Sequence, residues 1–309
     1  MNDKKINTKL PDFIIVGAAK SGTTSLYNYL NQHPQVCMSS MKEARYLAYF
    51  GIEQNYKGYG KNGNRIMQSY DSSMPKSMRD YLNLFSKEET NQIKGDCSPA
   101  YLYLPQTAEK ISELIPNVKI IMILRNPIER AYSSYLHMRR ENAEIKSFIQ
   151  ALRDEKKRIQ DNAGLPWRYV DMGKYNEQIS RYKSYFKSEN IKIVLYDDLK
   201  NNPLQFIKDI YRFLSIDSEF KPDMRRKDNV SGIPKNYFLY NLISKINYKI
   251  NSLSGFDDLK RRIDFLEKKL LSKPSMSFEE KALLNDALKK DIYALSLNLK
   301  RDLNSWLNT

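Results

Sequence analysis

Residues 11–34, PDFIIVGAAKSGTTSLYNYLNQHP, hold an apolar run, a turn from Gly17 to Gly22, and an apolar-periodic stretch opening at Thr23 and Thr24. That order reads as strand, loop and helix. A loop that opens a helix presents unpaired backbone N–H groups and the positive end of the helix dipole, so a phosphate or sulfate fits there. In a Walker A loop, GxxxxGK[ST], lysine directly follows the second glycine. Here Thr23 stands at that place, and the cation comes two residues before the glycine, at Lys20. The loop is therefore expected to hold a phosphate group without being built for magnesium-bound ATP. Lys20, Ser21, Gly22, Thr23, Thr24 and Ser25 are the candidate anion ligands.

A second segment, VKIIMILRNPIERAYSSYLHMR at 118–139, reads as an apolar strand ending in Arg125 and a turn fixed by Asn126 and Pro127. The helix that follows places Ser133 eight residues after the arginine. In nucleotide-hydrolysing P-loop proteins the matching strand ends in an acidic residue that holds magnesium. An arginine there grips an anion instead, because a guanidinium is always charged and binds phosphate oxygens bidentately, and a serine in the next helix can donate to the same group.

With both motifs in place, the chain resembles the PAPS-dependent sulfotransferases, most closely their heparan-sulfate-type and bacterial polysaccharide-type members. The resemblance runs from about residue 11 to the end. It is carried by Lys20, Gly22, Thr23 and Thr24, by Arg125 and Ser133, and more weakly by Lys42-Glu43, by GDCSPAYLY at 95–103 and by Leu303 to Trp306. It implies that the first loop binds the 5′-phosphosulfate of 3′-phosphoadenosine-5′-phosphosulfate (PAPS), and that Arg125 with Ser133 binds the 3′-phosphate. It also implies that Glu43 is the general base, with Asp96 as the competing candidate, and that Lys42, Asp96 and Ser98 line the acceptor side, Asp96 orienting Glu43, Lys42 or the acceptor unless it or Ser98 serves only as a helix cap. The segment RRKDNVSGIPKN would fold over the nucleotide and bring Arg226, Lys227 or Asn229 to the 3′-phosphate. After the Lys-Glu pair this chain has Ala44, Arg45, Tyr46 and Leu47 where the family usually has a proline-like residue, a histidine and aromatics, which weakens the transfer of acceptor details but not of the base.

Sulfuryl transfer resembles phosphoryl transfer in needing positioning and charge stabilisation. Lys20 is the expected stabiliser of the leaving phosphate, with the helix N-terminal amides beside it. Glu43 follows a predicted strand at the sheet edge where open α/β folds bind ligands, which suits a base. The expected reaction moves a sulfuryl group from PAPS to an acceptor hydroxyl. By resemblance that hydroxyl is on a glycan or glycolipid, with a lipid, a peptide tyrosine or an amine left open. Two other readings stand beside it, a P-loop kinase or NTPase and a non-catalytic polyanion-binding protein.

The formal net charge of +15 suits anionic ligands as well as plain solubility, and the basic residues are too scattered to mark a nucleic-acid surface. Two cysteines, Cys37 and Cys97, without CxxC spacing, and two histidines, His33 and His137, argue against a disulfide framework or a metal site. The polar start MNDKKINTKLP and the lack of an 18-residue apolar run lead us to expect a soluble bacterial cytoplasmic enzyme.

Alternating signals predict a single α/β domain over 1–309 with a P-loop-like three-layer fold, a parallel sheet flanked by helices. The nucleotide-binding core is expected over 11–220 and the covering loop and C-terminal helices over 221–309. Strands are predicted at 12–16, 35–38, 93–96, 119–124 and 191–196, and helices at 23–32, 105–115, 127–140, 175–187 and 203–215. Residues 51–76, rich in glycine, tyrosine and asparagine, are expected to be a long exposed loop, either a surface excursion or a lid whose Tyr56, Lys57 and Tyr59 contact a sugar. In the C-terminal third, Ser277 and Glu280 read as a capping box and Trp306 as an anchor for the tail.

Overall fold

The structure, a computed structural model, describes residues 10–50, 52, 55–225, 232–251 and 257–307. Five strands form one parallel sheet: β1 (Phe13–Gly17), β2 (Val36–Met38), β3 (Ile93–Cys97), β4 (Lys119–Leu124) and β5 (Ile191–Leu195), in the order β2-β3-β1-β4-β5. The strands read as near-continuous apolar runs because both faces are covered, as in parallel sheets generally. Alternate residues divide between two cores. Phe13, Ile15, Ile121 and Ile123 face one side, while Ile14, Val16, Ile120, Met122 and Leu124 face the other.

The helices are α1 (Thr23–Leu30), α2 (Tyr46–Tyr49), α3 (Gly63–Ser73), α4 (Met78–Asn83), α5 (Thr107–Leu114), α6 (Pro127–Arg140), α7 (Phe148–Gln160), α8 (Tyr175–Tyr185), α9 (Tyr196–Asn201), α10 (Pro203–Leu214), α11 (Tyr237–Asn251), α12 (Asp257–Lys269) and α13 (Phe278–Leu299). The first face is covered by α1 and by α10, whose Phe206, Ile207, Ile210, Tyr211 and Leu214 form one helical stripe. The second is covered by α5, α6, α8 and α13 through residues such as Ile111, Leu136, Ile179 and Leu288. This is the expected three-layer arrangement. Neighbours β3 and β4 flank β1 on opposite sides, so the chain order changes direction at β1, and ligands bind outside the strand ends at such a point.

Each predicted strand and helix is present within two residues at either end. The expected exposed loop at 51–76 is a correction, because most of its second half is α3, with Met67 buried and Ile66 and Tyr70 packed on the core. Gly58 and Gly63 serve close packing. A Cβ on Gly58 would lie 2.0 Å from the Gly63 carbonyl carbon, so residues 58 and 63 meet backbone to backbone only as glycines. Tyr59 packs on Trp167 and under the Arg158 guanidinium, so its side chain belongs to the packing of the insertion, and Lys57 pairs through its backbone with Ala163.

C-terminal to the sheet, β6 (Ile233–Pro234) pairs antiparallel with β7 (Leu271–Ser272), bracketing α11 and α12. The capping box forms: Glu280 N donates to Ser277 Oγ at 3.2 Å and Ser277 N donates to Glu280 Oε2 at 2.7 Å. Among the described residues no helix is long and apolar enough to cross a membrane.

Trp306 is buried, and its carbonyl accepts from Asn126 Nδ2 at 3.1 Å. Asn126 is also the N-cap of α6, its Oδ1 accepting from Ile128 N at 2.9 Å, so the tail braces the turn that follows Arg125. Trp306→Ala is expected to cost about 3–5 kcal/mol, the usual loss for emptying a buried tryptophan site. A thermal midpoint equal to the parent's would show that the tail contributes nothing.

Candidate active site

A cavity of about 380 Å³ opens at the C-terminal ends of β1 and β4. One wall is the first loop. Gly22 has φ +91 and a Cβ there would sit 2.8 Å from the Tyr196 ring, so glycine is required on both counts. The first i→i−4 bond of α1 runs from Leu26 N to Gly22 O. The amides of Thr23, Thr24 and Ser25 precede it and are the orphan donors of a helix start. Those three residues and Lys20 line the cavity. Ser21 does not, since its side chain is fully buried behind the loop.

Arg125 reaches the cavity from the end of β4. Its Nη2 donates to Glu129 Oε2 at 2.8 Å, its Nη1 donates to the Lys20 carbonyl at 3.3 Å, and its guanidinium lies 5.2 Å from the Tyr196 ring. The arginine thereby ties the strand end to the first loop. Ser133, on α6, lines the same space. The two sequence motifs, 105 residues apart at Lys20 and Arg125, thus meet in one pocket.

Glu43 and Lys42 come in from the segment after β2. Lys42 Nζ donates to Glu43 Oε1 at 2.6 Å. Glu43 N donates to the Cys97 carbonyl at 2.8 Å, fixing the glutamate over the end of β3. Burial pushes the Glu43 carboxyl pKa up, but Lys42, Arg45 and Lys20 together hold it below the ordinary value. Lys20 behaves oppositely: burial first, then the charges of Arg140, Lys42 and Arg125, lower its ammonium pKa to about 8, against the opposing pull of Glu43. Lys20, Glu43 and Arg45 all have left-handed backbones, with φ of 67, 66 and 56. Such conformations cost on the order of 1–3 kcal/mol each and persist where surrounding structure imposes them.

Asp96 and Ser98, expected to face the acceptor, do not line the cavity. Asp96 is fully buried and accepts from Tyr81 Oη at 2.9 Å, Tyr101 Oη at 3.0 Å and Ser98 Oγ at 3.0 Å. Ser98 Oγ in turn accepts from Arg45 N at 3.1 Å, and Tyr101 Oη from Leu47 N at 3.2 Å. The carboxylate therefore holds the backbone on which Glu43 sits and is out of reach of a substrate. Arg226, Lys227 and Asn229 lie outside the described residues.

Sequence reasoning passed over two residues in the wall. His137 lies one turn beyond Ser133 on the same face of α6, a spacing visible in the sequence. Arg140 Nη2 donates to its Nδ1 at 2.8 Å, and burial together with the charges of Lys20 and Arg140 drops its pKa well below the ordinary value, so the imidazole is neutral. Tyr196 follows β5 directly, in a run that otherwise read as strand.

The profile of the family described as "Sulfotransferase domain" matches residues 10–236, most of the chain. The chain belongs to the sulfotransferase family. A bifunctional heparan sulfate N-deacetylase/N-sulfotransferase of Drosophila melanogaster is 26% identical over 216 residues, which are 67% of this chain and 20% of that protein. The heparan sulfate glucosamine 3-O-sulfotransferase 5 of Homo sapiens is 28% identical over 215 residues, 67% of this chain and 54% of the human protein. The chain therefore spans between a fifth and about half of these relatives. Among solved structures, a sulfotransferase from Alicyclobacillus acidocaldarius superposes with a TM-score of 0.75 at 26% identity, covering 96% of this chain and 98% of the other. The resemblance to the sulfotransferases that the two motifs carried is thereby established, along with the fold it implied.

The Asp96 network is testable apart from any activity. Asp96→Ala leaves three buried hydroxyl donors without their acceptor, at about 1–3 kcal/mol each, so denaturant unfolding should show a loss of at least about 3 kcal/mol. Asp96→Asn, which keeps an accepting oxygen, should lose less. Equal losses in the two variants would mean that the hydroxyls do not depend on that acceptor.

Proposed function

We propose that the protein is a sulfotransferase that takes its sulfuryl group from PAPS and passes it to a saccharide hydroxyl. The observation that carries this reading is the meeting of two candidate anion grips and a carboxylate in one cavity: Lys20 with the α1 amides, Arg125 with Ser133, and Glu43. Two separated grips suit a nucleotide phosphorylated at both its 5′ and 3′ positions. The kinase reading has less to support it, because Thr23 follows Gly22 and Arg125 follows β4. The heparan sulfate names of the relatives favour a sugar acceptor.

The roles follow from chemistry. The donor supplies an activated sulfuryl group on a phosphate leaving group. Thr23, Thr24 and the α1 amides would hold the phosphosulfate, and Arg125 and Ser133 the 3′-phosphate. Glu43 would take the proton of the acceptor hydroxyl as the new O–S bond forms and the S–O bond to phosphate breaks. Lys20, with its ammonium pKa near 8, would stabilise or protonate the leaving oxygen as its charge develops.

Calorimetry with adenosine 3′,5′-bisphosphate tests the nucleotide half. The parent should bind it in preference to ATP, and Arg125→Ala should weaken binding by about 2 kcal/mol, the scale of a charge-assisted contact. Equal affinity of the parent for adenosine nucleotides with and without the 3′-phosphate would defeat the assignment.

For the base, Glu43→Gln should keep nucleotide affinity while lowering turnover by about 10²–10⁴. Lys42 holds the carboxyl pKa down, so removing it in Lys42→Met should raise that pKa and move the acid limb of kcat/KM to higher pH. A limb that stays in place, or near-parental turnover of Glu43→Gln, would rule Glu43 out.

A further inference from the structure

The wall of the cavity away from the two anion grips comes from the 49–74 segment, the part of the chain whose fold the sequence did not disclose. Tyr49, Tyr56, Met67, Tyr70 and Met74 line it, with Asp71 beside them. Tyr49 and Tyr56 meet edge to face at 6.2 Å, and Met67 is buried beneath α3. Aromatic rings and flexible thioethers of this kind receive the flat apolar face of a ring rather than a charged group. The cation against this wall, Arg45, is already engaged: its guanidinium lies 4.2 Å over the Tyr70 ring and its Nε donates to the Glu43 carbonyl at 2.9 Å. Lys42 is likewise engaged with Glu43. An anionic acceptor laid here would place its charges against tyrosine rings and the Asp71 carboxylate, which costs binding energy.

Resting on the sulfotransferase reading, we infer that this wall is the acceptor subsite and that it selects an uncharged ring, a neutral sugar stacked on the face of Tyr70 opposite Arg45, over a uronate-bearing chain. Tyr70 sets the stacking plane beside Glu43, and Asp71 turns carboxylates away. The acceptor class thereby differs from that in the names of the heparan sulfate relatives, although the nucleotide site is of the same kind.

Two probes that differ only in CH2OH against carboxylate test it: 4-nitrophenyl β-glucoside and 4-nitrophenyl β-glucuronide. They are titrated into the full chain saturated with adenosine 3′,5′-bisphosphate. The glucoside should bind at least about 10-fold more tightly than the glucuronide. Tyr70→Ala should weaken the glucoside about 10-fold while Tyr70→Phe retains it, and Asp71→Asn should narrow the gap between the probes. Nucleotide titration of each variant reports whether it is folded, and the Asp71 variant carries the test if Tyr70→Ala is not. Equal or tighter binding of the glucuronide, no binding of the glucoside, or a gap unchanged in Asp71→Asn overturns the inference. A parent that binds no bisphosphate removes the sulfotransferase reading itself, which is a separate result.

Discussion

One buried carboxylate governs how the cavity is assembled. Asp96 is fully buried near the end of β3, and burial raises its pKa although three hydroxyls and the Cys97 amide oppose the shift. A buried acceptor of this kind is tolerated only when its lone pairs are filled. Filling them fixes Tyr81 from α4, Tyr101 and Ser98, and the last two then take the backbone amides of Leu47 and Arg45. With the Glu43 amide held by the Cys97 carbonyl, residues 43–47 have little freedom left. The left-handed backbones of Glu43 and Arg45 are therefore imposed from the core. A loop placed this way offers a carboxylate at a defined point over the sheet, as proton transfer requires.

The electrostatics of the same space follow from crowding. Lys20, Lys42 and Arg125 share a pocket with Glu43, and burial, followed by the charges of Arg140, Lys42 and Arg125, shows as a lysine pKa near 8. An anion bound beside Lys20 would oppose that shift. The +15 net charge of the chain adds a broad field that draws anions toward the opening.

The sheet, its order of elements and the strand–loop–helix settings of Lys20 and Arg125 were legible because each rests on local rules: apolar runs for buried strands, a glycine turn before a helix, Asn126 and Pro127 at a helix start. The capping box at Ser277 and the tail anchor at Trp306 were legible for the same reason. What escaped was tertiary. Asp96 lies in a motif that reads as cleft-lining, and only the convergence of Tyr81, Tyr101 and Ser98 on it reveals a core acceptor. The 51–76 insertion read as loop because glycine and asparagine dominate it, yet Gly58 and Gly63 are there to let two backbones touch. Composition reports conformational freedom and cannot tell whether a glycine uses it or spends it on close approach.

This difference in legibility matches a division of labour in the fold. Lys20 and Arg125 stand beside strand ends and helix starts of the sheet, where geometry is set by the backbone ladder. The aromatic wall stands on α3 and the turns around it, joined to the rest by side-chain packing on Trp167, Met67 and the Arg45–Tyr70 contact. Changes in that wall can therefore alter what is accepted while leaving the anion grips intact, since none of its residues hydrogen-bonds the first loop among the bonds described. Rigid strand ends beneath a separately packed wall are the general way in which one sheet serves many acceptors. Here the joint between the two parts is Arg45, which holds the Glu43 carbonyl by its Nε and Tyr70 by its guanidinium face, so Glu43 and Tyr70 are positioned by the same side chain.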